Sequence, residues 1–321
     1  MTKKTISLTV LCASVCLASV AQAQKTSTGQ MSSEDVQANK IKGSAVLSSK
    51  GQNLGTLADI IVNYDSGTID LGLISLNPEA GGTSGQLVPV PWSLLKPSKQ
   101  AATPEAASMQ PLSFVFDGKP AKLQGAPSFS QDNWPNVNQP SWRQTIYSHY
   151  DVKPPTYAES TSGNSSGTTT QMANQDVQAN RIKGSTVLSS SGQNLGTLAD
   201  IIVNYATGRI DLGLLSLNPS AGGTSGHLVP VPWNLLRPAS QSTSPEAAGM
   251  QPLLFVFSGD ATALHGAPSF SQNNWPDVRQ SSWRQGVYSY YSVTPSAQGG
   301  AESPGGSETG SGPATPSSPP H

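Results

Sequence analysis

The segment GQNLGTLADIIVNY occurs twice in the chain, at residues 51–64 and at residues 192–205. An aliphatic run preceded by glycine and followed by a Ser-Gly or Thr-Gly turn is typical of a strand leading into a hairpin. Working outward, Val36 to Tyr150 aligns without a gap with Val177 to Tyr291 at an offset of 141 residues, and 84 of the 115 positions are identical. Each copy is long enough to bury its own core, so the sequence predicts two tandem domains.

Each copy is rich in short apolar runs separated by Gly, Pro, Asn and Asp turns. In the first copy the runs are Val46-Leu47, Leu54 to Tyr64, Ile69 to Leu76, Leu87 to Trp92 and Leu112 to Phe116. Such spacing favours a mainly β fold in which each copy forms a small antiparallel β-barrel. We expect the barrels over about 36–116 and 177–257, each followed by a loop and short-helix extension.

These segments resemble the PRC-barrel family in order and spacing. The resemblance rests on Gly43 to Val46, Gly51 to Val62 and the strand Val88-Pro89-Val90-Pro91-Trp92, and on their counterparts in the second copy. The family is named for the H subunit of the photosynthetic reaction centre, and a related barrel occurs in a ribosome-maturation factor. The resemblance therefore implies a role in assembling or supporting a membrane-associated complex, and the second relative implies RNA binding.

The second half of each copy looks like the extension found in exported and envelope PRC-barrel proteins of bacteria. Ser141 is placed to cap a short helix whose apolar face is formed by Trp142, Ile146, His149 and Tyr150. The equivalent face of the second copy is Trp283, Val287, Tyr290 and Tyr291. We expect both helices to pack against their barrels.

Residues 1–23 are typical of a secretory signal peptide. Lys3 and Lys4 precede an apolar stretch, and Ala21-Gln22-Ala23 forms a cleavage site. A membrane anchor and a lipoprotein site at Cys16 are the alternatives, but the apolar run is short and interrupted by serine and threonine. We expect cleavage after Ala23 and a periplasmic or secreted protein without a lasting transmembrane anchor.

The remaining boundaries follow from composition. The segments are a disordered N-terminal stretch at 24–34, a first unit at 35–151, a flexible linker at 152–175, a second unit at 176–292 and a disordered Gly/Pro/Ser tail at 293–321. Cleavage would remove both cysteines and leave 16 basic against 19 acidic residues, a net charge of about −3. Nucleic acid is therefore not an expected partner, and disulfides are excluded.

The composition also argues against an enzyme. None of the four histidines is common to both copies, so a triad or metal site serving both copies is not expected, although a site formed between the copies stays open, and no cofactor is expected. Shared carboxylates leave a glycosidase-like pair of Asp59 and Asp70 open. The alternative is that Asp70 lies on a solvated strand face and pairs with Lys or Arg. The shared Glu105 and Glu246 are further acidic candidates.

Shared aromatic and basic residues are the remaining binding candidates. Rings can stack on sugars or anchor a protein partner, although core packing is the alternative use. The candidates are Trp134, Trp142, Tyr150, Trp275, Trp283, Tyr291, Lys40, Lys42, Arg181 and Lys183. Together these features favour a non-enzymatic bivalent binding or scaffolding protein of the bacterial envelope, with an unknown protein or glycan partner. An envelope polysaccharide-binding module is the first alternative, and a carboxylate-based hydrolase is the second.

Overall fold

The computed structural model describes residues 34–98, 112–155, 176–239 and 253–295. The expected signal peptide, the C-terminal tail from residue 296, most of the expected linker, Glu105 and Glu246 lie outside these ranges. The described residues of both repeats belong to one compact unit, so the two repeats can be described together.

Within the described ranges, each repeat contributes eight strands. In the first repeat they are β1 (Asp35–Gln37), β2 (Ala45–Leu47), β3 (Asn53–Asn63), β4 (Thr68–Leu76), β5 (Gln86–Pro91), β6 (Leu95–Pro97), β7 (Ser113–Phe116) and β8 (Phe129–Ser130). In the second they are β9 (Asp176–Gln178), β10 (Thr186–Ser189), β11 (Asn194–Asn204), β12 (Arg209–Leu217), β13 (His227–Pro232), β14 (Leu236–Pro238), β15 (Leu254–Phe257) and β16 (Phe270–Ser271).

Helices are few and short. The α-helices are Ala38–Ile41, Ala121–Gln124 and Pro140–His149 in the first repeat, and Ala179–Ile182 and Ser281–Tyr290 in the second. The 3-10 helices are Pro78–Ala80, Trp92–Leu94, Pro219–Ala221, Trp233–Leu235 and Ala261–Gly266. The prediction of a mainly β protein is confirmed.

The strands of the first repeat follow the order β5, β4, β3, β2, β7, β6, and the second repeat repeats this order. All neighbours are antiparallel except β2 and β7, which run parallel with Val46 opposite Phe114. The expectation of a purely antiparallel barrel is thus wrong at this pair, because β7 inserts between β6 and β2. The sheet shared by the repeats does not close into a single barrel, and the 3-10 helix Trp92–Leu94 connects β5 to β6 as a corner. The barrel part of each repeat consists of β2 to β7 or of β10 to β15.

The two repeats exchange their first strands. Strand β1 pairs with β11 of the second repeat, with Val36 opposite Val203, and β9 pairs with β3 of the first repeat, with Val177 opposite Val62. Strands β4 and β12 also meet, where Ile69 N–H donates to the Gly208 carbonyl and Ile210 N–H to the Gly67 carbonyl. One sheet path therefore runs through both repeats, related by an approximate two-fold axis.

Burial along β3 reflects this exchange. Its last residues, from Ile60 to Asn63, are all buried. A strand with one solvated face would instead alternate between buried and exposed residues. Two tyrosines cross between repeats: Tyr64 packs edge-on against Phe255, and Tyr205 against Phe114. A continuous apolar core therefore spans the two repeats.

The extension helices pack on the barrels as expected, but with a different start and face. Helix Pro140–His149 begins at a proline after Gln139, so Ser141 is not its N-cap. The buried side chains are Arg143, Ile146 and Tyr147, followed by Tyr150, whereas Trp142 and His149 are half-buried. In the second repeat Tyr290, predicted on the buried face, is 39% exposed. The expected face is therefore right at Ile146 and Tyr150, whereas Arg143 and Tyr147 are buried instead of Trp142 and His149.

Candidate functional site

A buried arginine joins the two repeats on each side of the two-fold axis. Arg143 lies between two carboxylates, with Nη2 2.5 Å from Asp70 Oδ2 and Nε 3.0 Å from Asp176 Oδ2. Asp70 belongs to the same repeat, but Asp176 is the first residue of the exchanged strand β9. All three side chains are at most 3% exposed. The same arrangement recurs with Arg284, which forms ion pairs with Asp211 and Asp35.

Each cluster is completed by neutral polar groups. Asn63 Nδ2 donates to Asp176 Oδ1 at 3.0 Å, and Asn204 Nδ2 donates to Asp35 Oδ1 at 2.9 Å. The Tyr147 hydroxyl donates to the Asp70 carbonyl at 3.2 Å. These bonds supply the additional partners that a desolvated ion pair requires.

Burial changes the acidity of these carboxyl groups. Desolvation, with the nearby charge of Asp211, raises the pKa of Asp35 to about 8, although Arg284 acts in the opposite direction. Desolvation and Asp70 likewise raise the pKa of Asp176 well above its usual range. Two carboxylates that share one guanidinium in a dry site cannot both ionise without cost. Each cluster therefore favours the retention of a proton.

The expectation that Asp70 lies on a solvated strand face is wrong. Its side chain is fully buried under the extension helix, which delivers Arg143 to it. Asp59 is also largely buried and pairs with Lys42 at 2.7 Å, while its Oδ1 accepts a hydrogen bond from the Ile60 N–H. Asp59 is paired with Lys42, and Asp70 is paired with Arg143. The arrangement therefore does not resemble the open acid and base pair of a glycosidase.

The predicted aromatic binding residues lie between barrel and extension. Trp134 and Trp142 both contact Phe129, with ring centroids 5.0 and 6.3 Å apart, and Tyr150 packs edge-on against Phe116. The second repeat places Trp275 and Trp283 on Phe270, and Tyr291 on Phe257, in the same way. The four tryptophans remain half-buried, so one edge of each is available at the surface.

The predicted basic residues divide into two kinds. Lys42 and Lys183 form ion pairs with Asp59 and Asp200, at 2.7 and 2.8 Å. Lys40 and Arg181 are exposed on the short helices that follow the exchanged strands. The structure therefore does not gather all four into one patch.

A cavity of about 220 Å³ lies where the Asp65-Ser66-Gly67 turn of the first repeat meets the second barrel. Its walls include Arg209, Asp211, Trp233 and Arg237. Position 209 is the point at which β12 pairs with β4 across the repeats. The cavity is thus built by both repeats and depends on their association.

Sequence reasoning missed the residues that organise this interface. The sequence assigns no role to Arg143 and Arg284, because their carboxylate partners are distant in sequence; Asp70 is 73 residues from Arg143. One signal was present in the pattern: each arginine lies three residues before the apolar Ile146 or Val287, within the stripe that the helix buries.

Comparison with known families identifies the barrels. The sequence model of the PRC-barrel domain matches residues 33–102 and again residues 175–242. The chain is a tandem PRC-barrel protein. Each PRC-barrel match begins before the exchanged strand and ends after β6 or β14, so Asp70 and Asp176 lie inside the matches. Arg143 and Arg284 lie outside them, in the extensions, and thus attach each extension to both PRC barrels.

Two further observations complete the comparison. A search of the curated proteins gives no significant match to this tandem PRC-barrel protein. Among the described residues, none of the helices has both the length and the apolar character needed to cross a bilayer. Within the same residues, acidic and histidine side chains do not come together in threes as a metal site would require.

Proposed function

We propose that this tandem PRC-barrel protein is a non-enzymatic scaffold of the bacterial periplasm or envelope that presents two equivalent binding faces. The observation that carries the proposal is the reciprocal exchange of β1 and β9, which joins the repeats into one body. A partner with two matching sites would meet both faces at a fixed separation. Such an arrangement raises affinity through effective concentration without requiring tight binding at each face.

The carboxylates support a non-catalytic role. Asp70 and Asp176 on one side, and Asp35 and Asp211 on the other, are held by arginines at the interface between repeats. Buried ion pairs of this kind specify which segments associate more than they add stability. These ion pairs join the repeats. The acidic groups with the most strongly shifted pKa values among the described residues therefore have a structural role.

The outer face of each extension is the surface that we propose for the partner. Trp134 and Trp142 in the first repeat, with Trp275 and Trp283 in the second, keep exposed edges beside a supporting phenylalanine. Partly buried aromatic rings held by packing lose little entropy on binding, which suits them as anchors for a protein partner.

The test compares variants of the complete protein on isolated envelope material. Single-repeat fragments are unsuitable because each would lack the strand that the other repeat supplies and could recover it by dimerising. Trp134→Ala and Trp275→Ala should each weaken retention by at least about tenfold, and the double variant should abolish it. Gln144→Ala with Gln285→Ala, at exposed positions of the two extension helices, is the matched control and should retain binding. Equal retention of single variants and the parent protein would refute bivalence.

The envelope location is part of the proposal and has its own test. It rests on the basic start, the apolar stretch and the Ala21-Gln22-Ala23 site of the leader. Expression of the complete gene in a bacterial host should give a protein in the periplasmic fraction whose intact mass begins at Gln24. A cytoplasmic protein that retains Met1 would contradict it.

Polysaccharide binding is the second candidate. The paired rings of Phe129 with Trp134, and of Phe270 with Trp275, are half-buried and offer aromatic surface against which a sugar face can stack. Envelope glycans should then quench tryptophan fluorescence in the parent protein and fail to do so in the Trp134→Ala, Trp275→Ala double variant. Absence of any response across a glycan panel would eliminate this candidate.

A further inference from the structure

The cavity at Arg209 is the place where the two nearly identical repeats differ in chemistry. Position 209 is equivalent to Thr68, whose hydroxyl donates to Asp70 Oδ1 at 3.3 Å. With arginine in that place, the Asp211 side chain keeps 15% exposure, whereas that of Asp70 has none. The cavity of the second repeat therefore reaches a carboxylate that the first repeat covers.

Two guanidinium groups line this cavity. Within the described ranges, neither Arg209 nor Arg237 forms an ion pair with an acidic side chain. Arg209 is half-buried beside the pairing of β12 with β4, so its position is restricted before any ligand arrives. Planar guanidinium groups donate paired hydrogen bonds to carboxylate and phosphate oxygens. Both arginines belong to the lining of the cavity, and they provide donors for an oxyanion.

The lining also contains acceptors and rings. Asp65 and Ser66 come from the turn of the first repeat, and Asn234 from the second. Trp233 and Tyr288 add aromatic surface. Side-chain oxygens that accept from hydroxyl groups, together with apolar ring surface, are the elements with which proteins hold a sugar ring. The volume of about 220 Å³ lies below the range of about 300–1,000 Å³ typical of pockets for drug-sized ligands, which favours a ligand of single-ring size.

We infer that this cavity binds an acidic monosaccharide unit, with its carboxylate or phosphate group held by Arg209 and Arg237 and its hydroxyl groups by Asp65 and Asn234. The site goes beyond the proposed scaffold function, since it uses none of the tryptophan edges of the extensions. Within the described residues, only the second repeat has this combination of side chains. The equivalent place in the first repeat carries Thr68 instead of Arg209 and, across the turn, Ala206 instead of Asp65.

The experiment is calorimetric titration of the full chain with glucuronate and with glucose 6-phosphate. The first ligand carries a carboxylate and the second a phosphate, so the two affinities show which oxyanion the site binds. Glucose and inorganic phosphate are the reference ligands, each lacking one half of the recognised chemistry. We expect one equivalent of at least one acidic sugar per chain, bound at least about tenfold more tightly than either reference ligand.

Two variants replace a cavity arginine with the residue at the equivalent position of the first repeat, Thr68 or Lys96, so the fold is expected to accept them. Arg209→Thr should weaken binding at least about tenfold, because it removes a charge-assisted donor pair. Arg237→Lys keeps the charge, loses the planar fork and should weaken binding several-fold. Lys96→Thr, at the first-repeat counterpart of Arg237, is the matched control and should bind as the parent protein does. Thermal unfolding confirms that each variant is folded.

Three results would overturn the inference. They are the absence of binding of both acidic sugars, undiminished binding by folded Arg209→Thr and Arg237→Lys, and equal affinity for inorganic phosphate and glucose 6-phosphate. The last would leave an oxyanion site without sugar recognition.

Discussion

Arg143, on the extension helix of the first repeat, contacts Asp176, the first residue of the exchanged strand of the second, with Nε and Oδ2 3.0 Å apart. This ion pair connects three parts of the molecule, because the same guanidinium also holds Asp70 on the first barrel. The extension, its own barrel and the neighbouring repeat are therefore fixed by one side chain.

The first prediction concerns Arg143. Arg143→Met leaves Asp70 and Asp176 buried without their guanidinium, so we expect the free energy of unfolding to fall by about 3–5 kcal/mol. Urea denaturation provides the measurement. Lys40→Met removes an exposed positive charge and should change the same quantity by less than about 0.5 kcal/mol. Similar values for the two variants would show that the buried cluster does not hold the repeats.

The interface could not be derived from the sequence for a physical reason. Strands β3 and β11 have identical sequences, so each of the identical short strands β1 and β9 has two equivalent partners. Hydrophobic pattern and register are the same for pairing within a repeat and between repeats. What decides between them is chain connectivity and packing, neither of which a local pattern contains.

The barrel strands were predictable because their signals are local. Alternating or continuous aliphatic runs between glycine turns located β3, β4 and β5 and their counterparts. The burial of Arg143 was not predictable, because a cation on a helix is normally solvated. Its burial depends on two carboxylates that other segments supply. The candidate tryptophans could be chosen by residue type alone. The cavity at Arg209 could not be predicted, because it forms only where the two repeats meet.

The second prediction is a pH dependence of stability. In the folded protein burial raises the pKa of Asp35 to about 8 from a usual value of 3.8, so the native state binds more protons than the unfolded state between these values. Its contribution is fully present below about pH 4 and is lost as the pH rises through about 8. Asp35→Asn cannot titrate.

Urea denaturation between pH 5 and pH 8 checks this. The parent protein should lose stability over that interval, and Asp35→Asn should lose at least about 1 kcal/mol less, since unfolding of the parent protein releases the proton of Asp35 and unfolding of the variant does not. Asp117→Asn, an exposed control, should follow the parent curve. A parent curve that rises with pH to the same degree as that of Asp35→Asn would mean that Asp35 is ionised in the folded protein.

The third prediction uses the close approach of the repeats at Gly67. A Cβ at this position would lie 2.5 Å from Trp233 Cδ1, and φ is +65°. Gly67→Ala should therefore cost the backbone strain of a left-handed residue plus about 1–3 kcal/mol for displacing a buried indole.

Gly43→Ala is the matched control for Gly67→Ala. Its φ is +82°, but an added Cβ meets nothing within 4 Å, so it reports backbone strain alone. The difference between the two variants in the free energy of unfolding isolates the contact between repeats. Gly208→Ala, which faces Trp92 at 2.5 Å, should behave like Gly67→Ala. If all three variants lose the same stability, the contact contributes nothing.

The last prediction is that the first repeat alone, residues 24–155, forms a homodimer. Its strand β1 has the same sequence as β9, and its own β3 has the same sequence as β11, so two copies can exchange strands as the tandem repeats do. In such a dimer Asp35 of one copy replaces Asp176 beside Arg143 of the other.

Light scattering after size exclusion should give twice the fragment mass at micromolar concentration. Val36→Asp places a charge on a strand residue that is only 5% exposed and should abolish the dimer. A stable folded monomer of the parent fragment would show that each barrel is complete without the exchanged strand, and that the exchange in the full chain adds proximity without being required for folding.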